Sequence, residues 1–223
     1  MARAVGRHTV GLGTQGLRTL VFVLYPLLGA VVAVLSLVGE SKGLDGFQLF
    51  NDPAHQLGVL WGVFSYFGIL MWAMATACCT VGWAFLRETS PSLPLRRWFL
   101  TSALISGALT IDDTFAVHER IVPEYVGLAE PIVLLIYVVV VAWYLVRFRH
   151  ELFGRSDSTL FLASLVFLSV SLLIDVTGWV FPFVTAIEDL SKLLGITAWL
   201  HFFFRATIEA TTEGGLRART RRL

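Results

Sequence analysis

Residues 99–109, FLTSALISGAL, form an apolar run that leads directly into residues 110–120, TIDDTFAVHER. The second stretch places aspartates, a glutamate, a histidine and an arginine at the end of a segment with the composition of a membrane-spanning helix. Ionisable groups at or inside the hydrocarbon region are costly, and they usually mark a functional site. This junction therefore indicates a membrane-spanning fold and a candidate functional site at residues 110–120.

The remainder of the chain is equally apolar. Of its 223 residues, 56% are hydrophobic and 15% are charged, and the mean hydropathy is +0.74. A hydrocarbon core of about 30 Å needs roughly 20 apolar residues per helix, and the chain has room for six such runs with short connections. We therefore predict an all-α, polytopic membrane protein, a six-helix transmembrane bundle without a separate soluble domain.

Breaks in the apolar pattern set approximate bounds for these helices. Asp52 and Pro53 favour a helix start, whereas Pro123 and Pro182 limit the helices that precede them. The first run is too long for a signal peptide and lacks a small-residue cleavage pattern, so we interpret it as a retained helix. The transmembrane domain is predicted over residues 18–208, between an N-terminal segment (1–17) and a basic tail (209–223). Its helices are predicted at residues 18–38, 54–86, 98–119, 131–147, 159–181 and 186–207.

Lysine and arginine are distributed unevenly between the two sides of this predicted topology. One side, which includes both termini and the second and fourth loops, receives 14 of the 17 basic residues. The positive-inside rule makes that side cytoplasmic, so we expect a multi-pass protein of the cell membrane with both termini in the cytoplasm. A formal net charge of only +1 excludes the broad basic surface of a nucleic-acid-binding protein.

Further ionisable residues are predicted at the depth of Asp112 and Asp113. Asp175 lies between apolar segments near the end of the fifth helix, and Glu188 and Lys192 lie four residues apart near the start of the sixth. Helices three and five rise to the extracytoplasmic side and helix six descends from it, so these side chains are expected to share one layer in the outer third of the bundle. We predict all five as catalytic candidates. A local ion pair between Glu188 and Lys192 is the structural alternative.

A continuous third helix would place Asp112 and Glu119 on nearly the same face, with His118 pointing away from them. Asp113 and Arg120 would share the adjacent face, where a simple ion pair would account for both. On that interpretation His118 and Glu119 lie among the lipid headgroups and form only the rim of a site.

Several carboxylates in one apolar layer must bind a cation, share protons or pair with basic groups. Oxygen ligands suit Mg²⁺, Ca²⁺ or Mn²⁺, and an added histidine would admit iron or zinc. The sequence contains no HExxH, HxxxH or DxxxD pattern that would identify the metal. The candidate ligands of a divalent metal ion are Asp112, Asp175, Glu188, His118 and Glu119.

Three classes of function fit these residues. One is a metal-dependent or acid/base enzyme acting on a lipid or another apolar substrate. The others are a proton or cation transporter and a structural or regulatory membrane subunit. Because the cytoplasmic halves of the helices carry few polar residues, a site open to one side is favoured over a pathway open to both. The expected partners are membrane lipid, an apolar small-molecule substrate and a second copy in a homodimer, with no nucleic acid.

Overall fold

The computed structural model of the chain describes residues 17–41, 62–89, 92–155, 157–177 and 184–220. All regular secondary structure in these ranges is helical, and they contain no strand. Apart from Leu17, the predicted N-terminal segment lies outside the described residues, as does the predicted start of the second helix at residue 54.

The helices follow the apolar runs of the sequence. Prolines occupy the first turn of the helices that begin at Leu93 and Glu130, where a missing backbone N–H costs nothing. A π-helical turn, Leu20–Leu24, continues into α1, Tyr25–Ser41. The chain then forms α2 (Val63–Thr89), α3 (Leu93–Phe115), the π-helix α4 (Val117–Val126), α5 (Glu130–Arg147), the short α6 (Arg149–Phe153), α7 (Ser158–Thr177) and α8 (Val184–Thr220).

Several of these helices are long and apolar enough to cross a membrane. Four segments qualify singly, namely Leu17–Val34, α2, α5 and α7, and the bent pair α3 and α4 makes a fifth if it is one broken span. Apolar side chains along α5 remain exposed, as expected for a surface that faces lipid. The prediction of an all-helical membrane protein is therefore confirmed. Helix α8 is not among the qualifying segments of the described residues, so the count of six spans and the cytoplasmic termini stay predictions.

The described helices divide into two compact units. The first takes the described parts of residues 1–71 and 159–199. Its core joins Leu28 on α1, Phe64 on α2 and Leu193 on α8. The hydroxyl of Tyr25 donates a hydrogen bond to the carbonyl oxygen of Leu194 at 3.3 Å, which ties α1 to α8.

The second unit takes the described parts of residues 72–158 and 200–223, and it has an aromatic core. Trp98 on α3 is fully buried, with ring centroids 4.7 Å from Phe99 and 5.6 Å from Phe203 on α8. Its indole N–H donates to the hydroxyl of Tyr144 on α5 at 2.8 Å, so this buried polar group is satisfied. Helices α3, α5 and α8 are thereby fixed to one another.

Helix α8 is longer than the predicted helix at residues 186–207 and continues to Thr220. Ion pairs hold this part of the chain: Arg205 Nε lies 2.6 Å from Asp157 Oδ2, and Arg155 pairs with Glu209. Much of the predicted tail (209–223) is consequently helical.

Candidate functional site

Asp112 lies in the last turn of α3, just before the chain changes direction. Ala116 adopts a left-handed conformation (φ 50°, ψ 50°), and it is the only non-glycine residue with positive φ in the described ranges. A left-handed residue ends an α-helix, because the chain cannot follow the helical path beyond it. Helix α4 therefore starts at Val117 in a new direction, 75° from α3.

This change of direction places His118 against Asp112. The imidazole Nδ1 of His118 lies 2.6 Å from Asp112 Oδ2, and the backbone N–H of His118 donates to Asp112 Oδ1 at 3.0 Å. The hydroxyl of Tyr137 on α5 donates to the same Oδ1 at 2.8 Å. Asp112 is only 4% exposed and His118 only 8%. A buried carboxylate thus joins α3, α4 and α5 through three hydrogen bonds.

The carboxylate of Asp112 has two consequences for the site. The backbone N–H of His118 belongs to the first turn of α4, where it has no partner inside the helix, so Asp112 caps that helix from a distance. A carboxylate can only accept a hydrogen bond, so the short contact assigns the ring proton of neutral His118 to Nδ1. In this neutral form Nε2 carries the lone pair, as in metal-binding and general-base histidines.

The expectation that His118 points away from Asp112 is wrong. It assumed one uninterrupted helix over residues 98–119, whereas α3 ends at Phe115 and Ala116 reverses the local handedness. Pro123 does not end the helical segment either, because it lies inside the π-helix α4. The π-helical spacing of α4 differs from the 100° per residue on which the comparison of faces rested.

Two glutamates also lie near the His118 ring. Glu119 Oε1 lies 3.6 Å from His118 Nε2, with 48% of the glutamate side chain exposed. A carboxylate oxygen of Glu130, at the start of α5, lies within 4.8 Å of a ring nitrogen of His118. Helices α3, α4 and α5 thus bring together a histidine and three carboxylates, those of Asp112, Glu119 and Glu130.

Asp113 takes part in a different interaction from Asp112. Its Oδ2 accepts a hydrogen bond from the indole N–H of Trp72 on α2 at 3.1 Å, and its side chain is half-buried. Trp72 itself is buried. The adjacent aspartates of the sequence motif therefore serve separate purposes, since Asp113 ties α3 to α2 while Asp112 orients His118.

The other catalytic candidates belong to the first compact unit. Asp175 is exposed on α7, two residues before the end of that helix, while Glu188 and Lys192 are half-buried on α8. Neither Glu188 nor Lys192 lacks an interaction partner. The predicted layer that would unite these three residues with Asp112 and Asp113 stays a prediction.

Two members of the site were not among the sequence candidates. Tyr137 is the one hydroxyl-bearing side chain in the apolar run of residues 131–142. A single hydroxyl in such a run is the feature of the sequence that could have indicated a buried hydrogen bond. Glu130 directly precedes the predicted helix at residues 131–147. Its position beside His118 depends on the short connection between α4 and α5, whose Gly127 also has a positive φ of 75°.

Comparison with known families covers the site as well as the fold. A family model described as a domain of unknown function (DUF8692) matches residues 20–206. The chain belongs to this family. The match includes every residue of the cluster around His118, together with Asp175, Glu188 and Lys192. Neither the curated proteins nor the solved structures contain a match to the chain.

Proposed function

We propose that this protein is a membrane-embedded, metal-dependent enzyme in which His118 binds a divalent cation through Nε2 together with carboxylates. The observation that carries the proposal is the 2.6 Å contact between Asp112 Oδ2 and His118 Nδ1. Histidines that bind metals usually donate their second ring N–H to a carboxylate, which fixes the tautomer and raises the basicity of the ligand.

Glu130 is the first proposed carboxylate ligand in this unit, and Glu119 is the alternative. Donor atoms that share a metal at roughly 2.1 Å lie within about 4.2 Å of each other. Glu119 Oε1 already meets this limit at 3.6 Å from His118 Nε2, and the bound of 4.8 Å for Glu130 leaves only a small side-chain movement. A set of one imidazole and carboxylates suits zinc, iron or manganese better than calcium.

From the sequence, we further propose that Asp175 and Glu188 complete the ligand set and that Lys192 balances its charge. The same carboxylates then define a layer of negative charge that a bound cation would neutralise. Following the distribution of basic residues, we assign this layer to the extracytoplasmic side of the cell membrane.

The chain's own groups would position and activate a substrate at this site. Asp112 holds the imidazole in one orientation, and Tyr137 holds Asp112. A metal at Nε2 would supply Lewis-acid chemistry, polarising a carbonyl or phosphoryl oxygen or activating water. Because the surroundings are apolar helices, the substrate that fits is a membrane lipid or another apolar molecule.

The purified full-length protein, stripped of metal in detergent, provides the test. Calorimetric titration with Zn²⁺ and Mn²⁺ should reveal binding that His118→Ala abolishes. Glu130→Gln should weaken this binding by at least 10-fold, because loss of a residue that only hydrogen-bonds to a metal ligand already lowers metal affinity by about that much. Glu124→Gln is the matched control, because Glu124 is exposed on the same short helix. Failure to bind metal, or equal affinity in all variants, would contradict the metal site. Asp175→Asn in the same series tests whether that residue adds a ligand.

The Asp112 and His118 pair also supports a metal-free candidate. A histidine whose Nδ1–H donates to a carboxylate is oriented to accept a proton at Nε2, so His118 could act as a general base on the same substrate class. Turnover that depends on His118 but survives chelation would select this version. Proton or cation flux in proteoliposomes that His118→Ala abolishes would instead favour transport.

A further inference from the structure

An apolar groove runs along the surface of the second unit between α2 and α3. Its volume is about 420 Å³, within the 300–1,000 Å³ range of small-molecule sites. Its lining includes Thr76, Thr80 and Trp83 on α2 and residues from Leu100 to Ile111 on α3. These positions follow helical spacing on each helix, so the groove runs parallel to the helix axes.

Small side chains make this space and leave it apolar. At Gly107, a Cβ would lie 3.5 Å from the methyl carbon of Thr76, so glycine removes bulk from the groove floor. The hydroxyls of Thr76 and Thr80 donate to carbonyl oxygens of their own helix, those of Trp72 and Thr76, at 2.9 and 2.8 Å. Both threonines have thereby satisfied their hydroxyl donors without a ligand, which suits an apolar occupant.

The groove is about as long as one leaflet of a bilayer is thick. From Leu100 to Ile111 an α-helix rises about 16 Å, close to half of the roughly 30 Å hydrocarbon core. The groove is therefore extended along the helix axes, with a volume of 420 Å³ spread over about 16 Å.

The groove is open sideways to the lipid and ends near the polar cluster. Leu104 on its edge is 65% exposed and Ile111 at its end is 56% exposed. Ile111 directly precedes Asp112. A hydrocarbon chain that lies in the groove and ends at Ile111 would therefore place the group attached to it at the depth of the Asp112 carboxylate. A hydrocarbon chain can enter such a groove from the bilayer without leaving the apolar phase.

We propose that this groove holds one acyl chain of a membrane lipid, whose reactive polar group lies at the level of Asp112 and His118. The role of that lipid as substrate rests on the proposed function, whereas its binding does not. The groove defines the substrate class as a lipid with at least one extended hydrocarbon chain.

Photolabelling of the full-length protein tests this assignment. The protein is reconstituted in phosphatidylcholine vesicles that contain a trace of phosphatidylcholine with a diazirine in one acyl chain, irradiated, and mapped by peptide mass spectrometry. Label should concentrate in residues 76–83 and 100–111, above the level in α5, whose exposed apolar side chains provide the reference surface. Ala108→Phe, at an exposed lining position, should lower this label about tenfold, equivalent to 1.4 kcal/mol of binding.

Ala142→Phe provides the matched control, since it makes the same substitution at an exposed position on α5 and should leave the label in the groove unchanged. His118→Ala should abolish metal binding yet leave the photolabelling intact, so failure of the proposed function and failure of this inference are distinguishable. Label no higher than in α5, or label unaffected by Ala108→Phe, overturns the proposal. A cross-linked dimer that Ala108→Phe disrupts, with no preferential lipid label, also overturns it, in favour of a second copy at this surface.

Discussion

Replacing Asp112 by asparagine tests the pairing with His118 most directly, because the substitution keeps the shape of the side chain and removes its charge. The amide oxygen can still accept the two hydrogen bonds made to Oδ1, from the backbone N–H of His118 and from the hydroxyl of Tyr137. The amide –NH₂ replaces Oδ2, however, and can only donate. Facing this donor, the His118 ring is expected to move its proton from Nδ1 to Nε2.

The expected magnitudes follow from the exchange of a charged hydrogen bond for a neutral one. A hydrogen bond to a charged group contributes about 1.5–3 kcal/mol and a neutral one about 0.5–1.5 kcal/mol, so Asp112→Asn should lower the free energy of unfolding by about 1–2 kcal/mol. Asp112→Ala should cost more, because it also removes the acceptor of the half-buried Tyr137 hydroxyl and of the buried His118 backbone N–H, the latter worth about 1–3 kcal/mol. Metal affinity should fall by about 10–100-fold in the asparagine variant, since Nε2 now carries a proton that must leave before metal binds.

Two measurements check this prediction. Calorimetric metal titration compares the wild type, Asp112→Asn and the control Glu124→Gln, which removes one acidic charge from an exposed position. Nitrogen-15 NMR of the imidazole rings reports the tautomer, with His118→Ala assigning the signal among the five histidines of the chain. An Nδ1-protonated ring in Asp112→Asn, together with wild-type affinity, would refute the assigned role of Asp112.

Substitutions at three further positions, one of them with a control at Gly29, test the fold by thermal unfolding in detergent. Ala116→Gly should raise the free energy of unfolding by up to about 1 kcal/mol, because glycine adopts the left-handed conformation without strain. Ala116→Val should lower it, and an unchanged stability in the valine variant would contradict the left-handed conformation of this residue. Gly82→Ala should cost about 1–3 kcal/mol, because its Cβ would lie 2.6 Å from the buried ring of Phe99. Gly29→Ala is the control and should be neutral or stabilising, because nothing lies within 4 Å of the added Cβ. Equal effects of the two substitutions would contradict the packing of Gly82 against Phe99. Tyr144→Phe should cost about 1–3 kcal/mol by leaving a buried indole N–H without its acceptor, and an unchanged midpoint would contradict that hydrogen bond.

Hydropathy alone predicted much of the helical architecture. The predicted helix at residues 131–147 agrees closely with α5, because Pro131 is suited to the first turn and Arg147 interrupts the apolar run. The third helix was less predictable. No glycine marks the break at residue 116, and an alanine with positive φ carries no local signal, since its conformation depends on tertiary contacts.

The same limit applies to the site. Asp112 could be singled out from sequence because burying a carboxylate in an apolar helix needs a partner. The residues that hydrogen-bond to Asp112 could not be predicted in this way, because a helical projection relates residues only along one continuous helix. His118 reaches Asp112 through the break, and Tyr137 reaches it from another helix. Asp113 had the same sequence signal as Asp112, yet its hydrogen bond from Trp72 depends on how α2 packs beside α3.

The structural and chemical roles of Asp112 are inseparable, because both depend on the same carboxylate. Its Oδ1 accepts a hydrogen bond from the backbone N–H of His118, in the first turn of α4. Its Oδ2 accepts the ring proton of the same histidine. The ring can be oriented only if the chain has already turned at Ala116, and the turn is stabilised only if the carboxylate remains ionised to accept both hydrogen bonds. A loss of function in an Asp112 variant will consequently include a folding component. Substitutions at Glu130, which lies beside the ring without capping α4, separate the chemistry of His118 from the helix break.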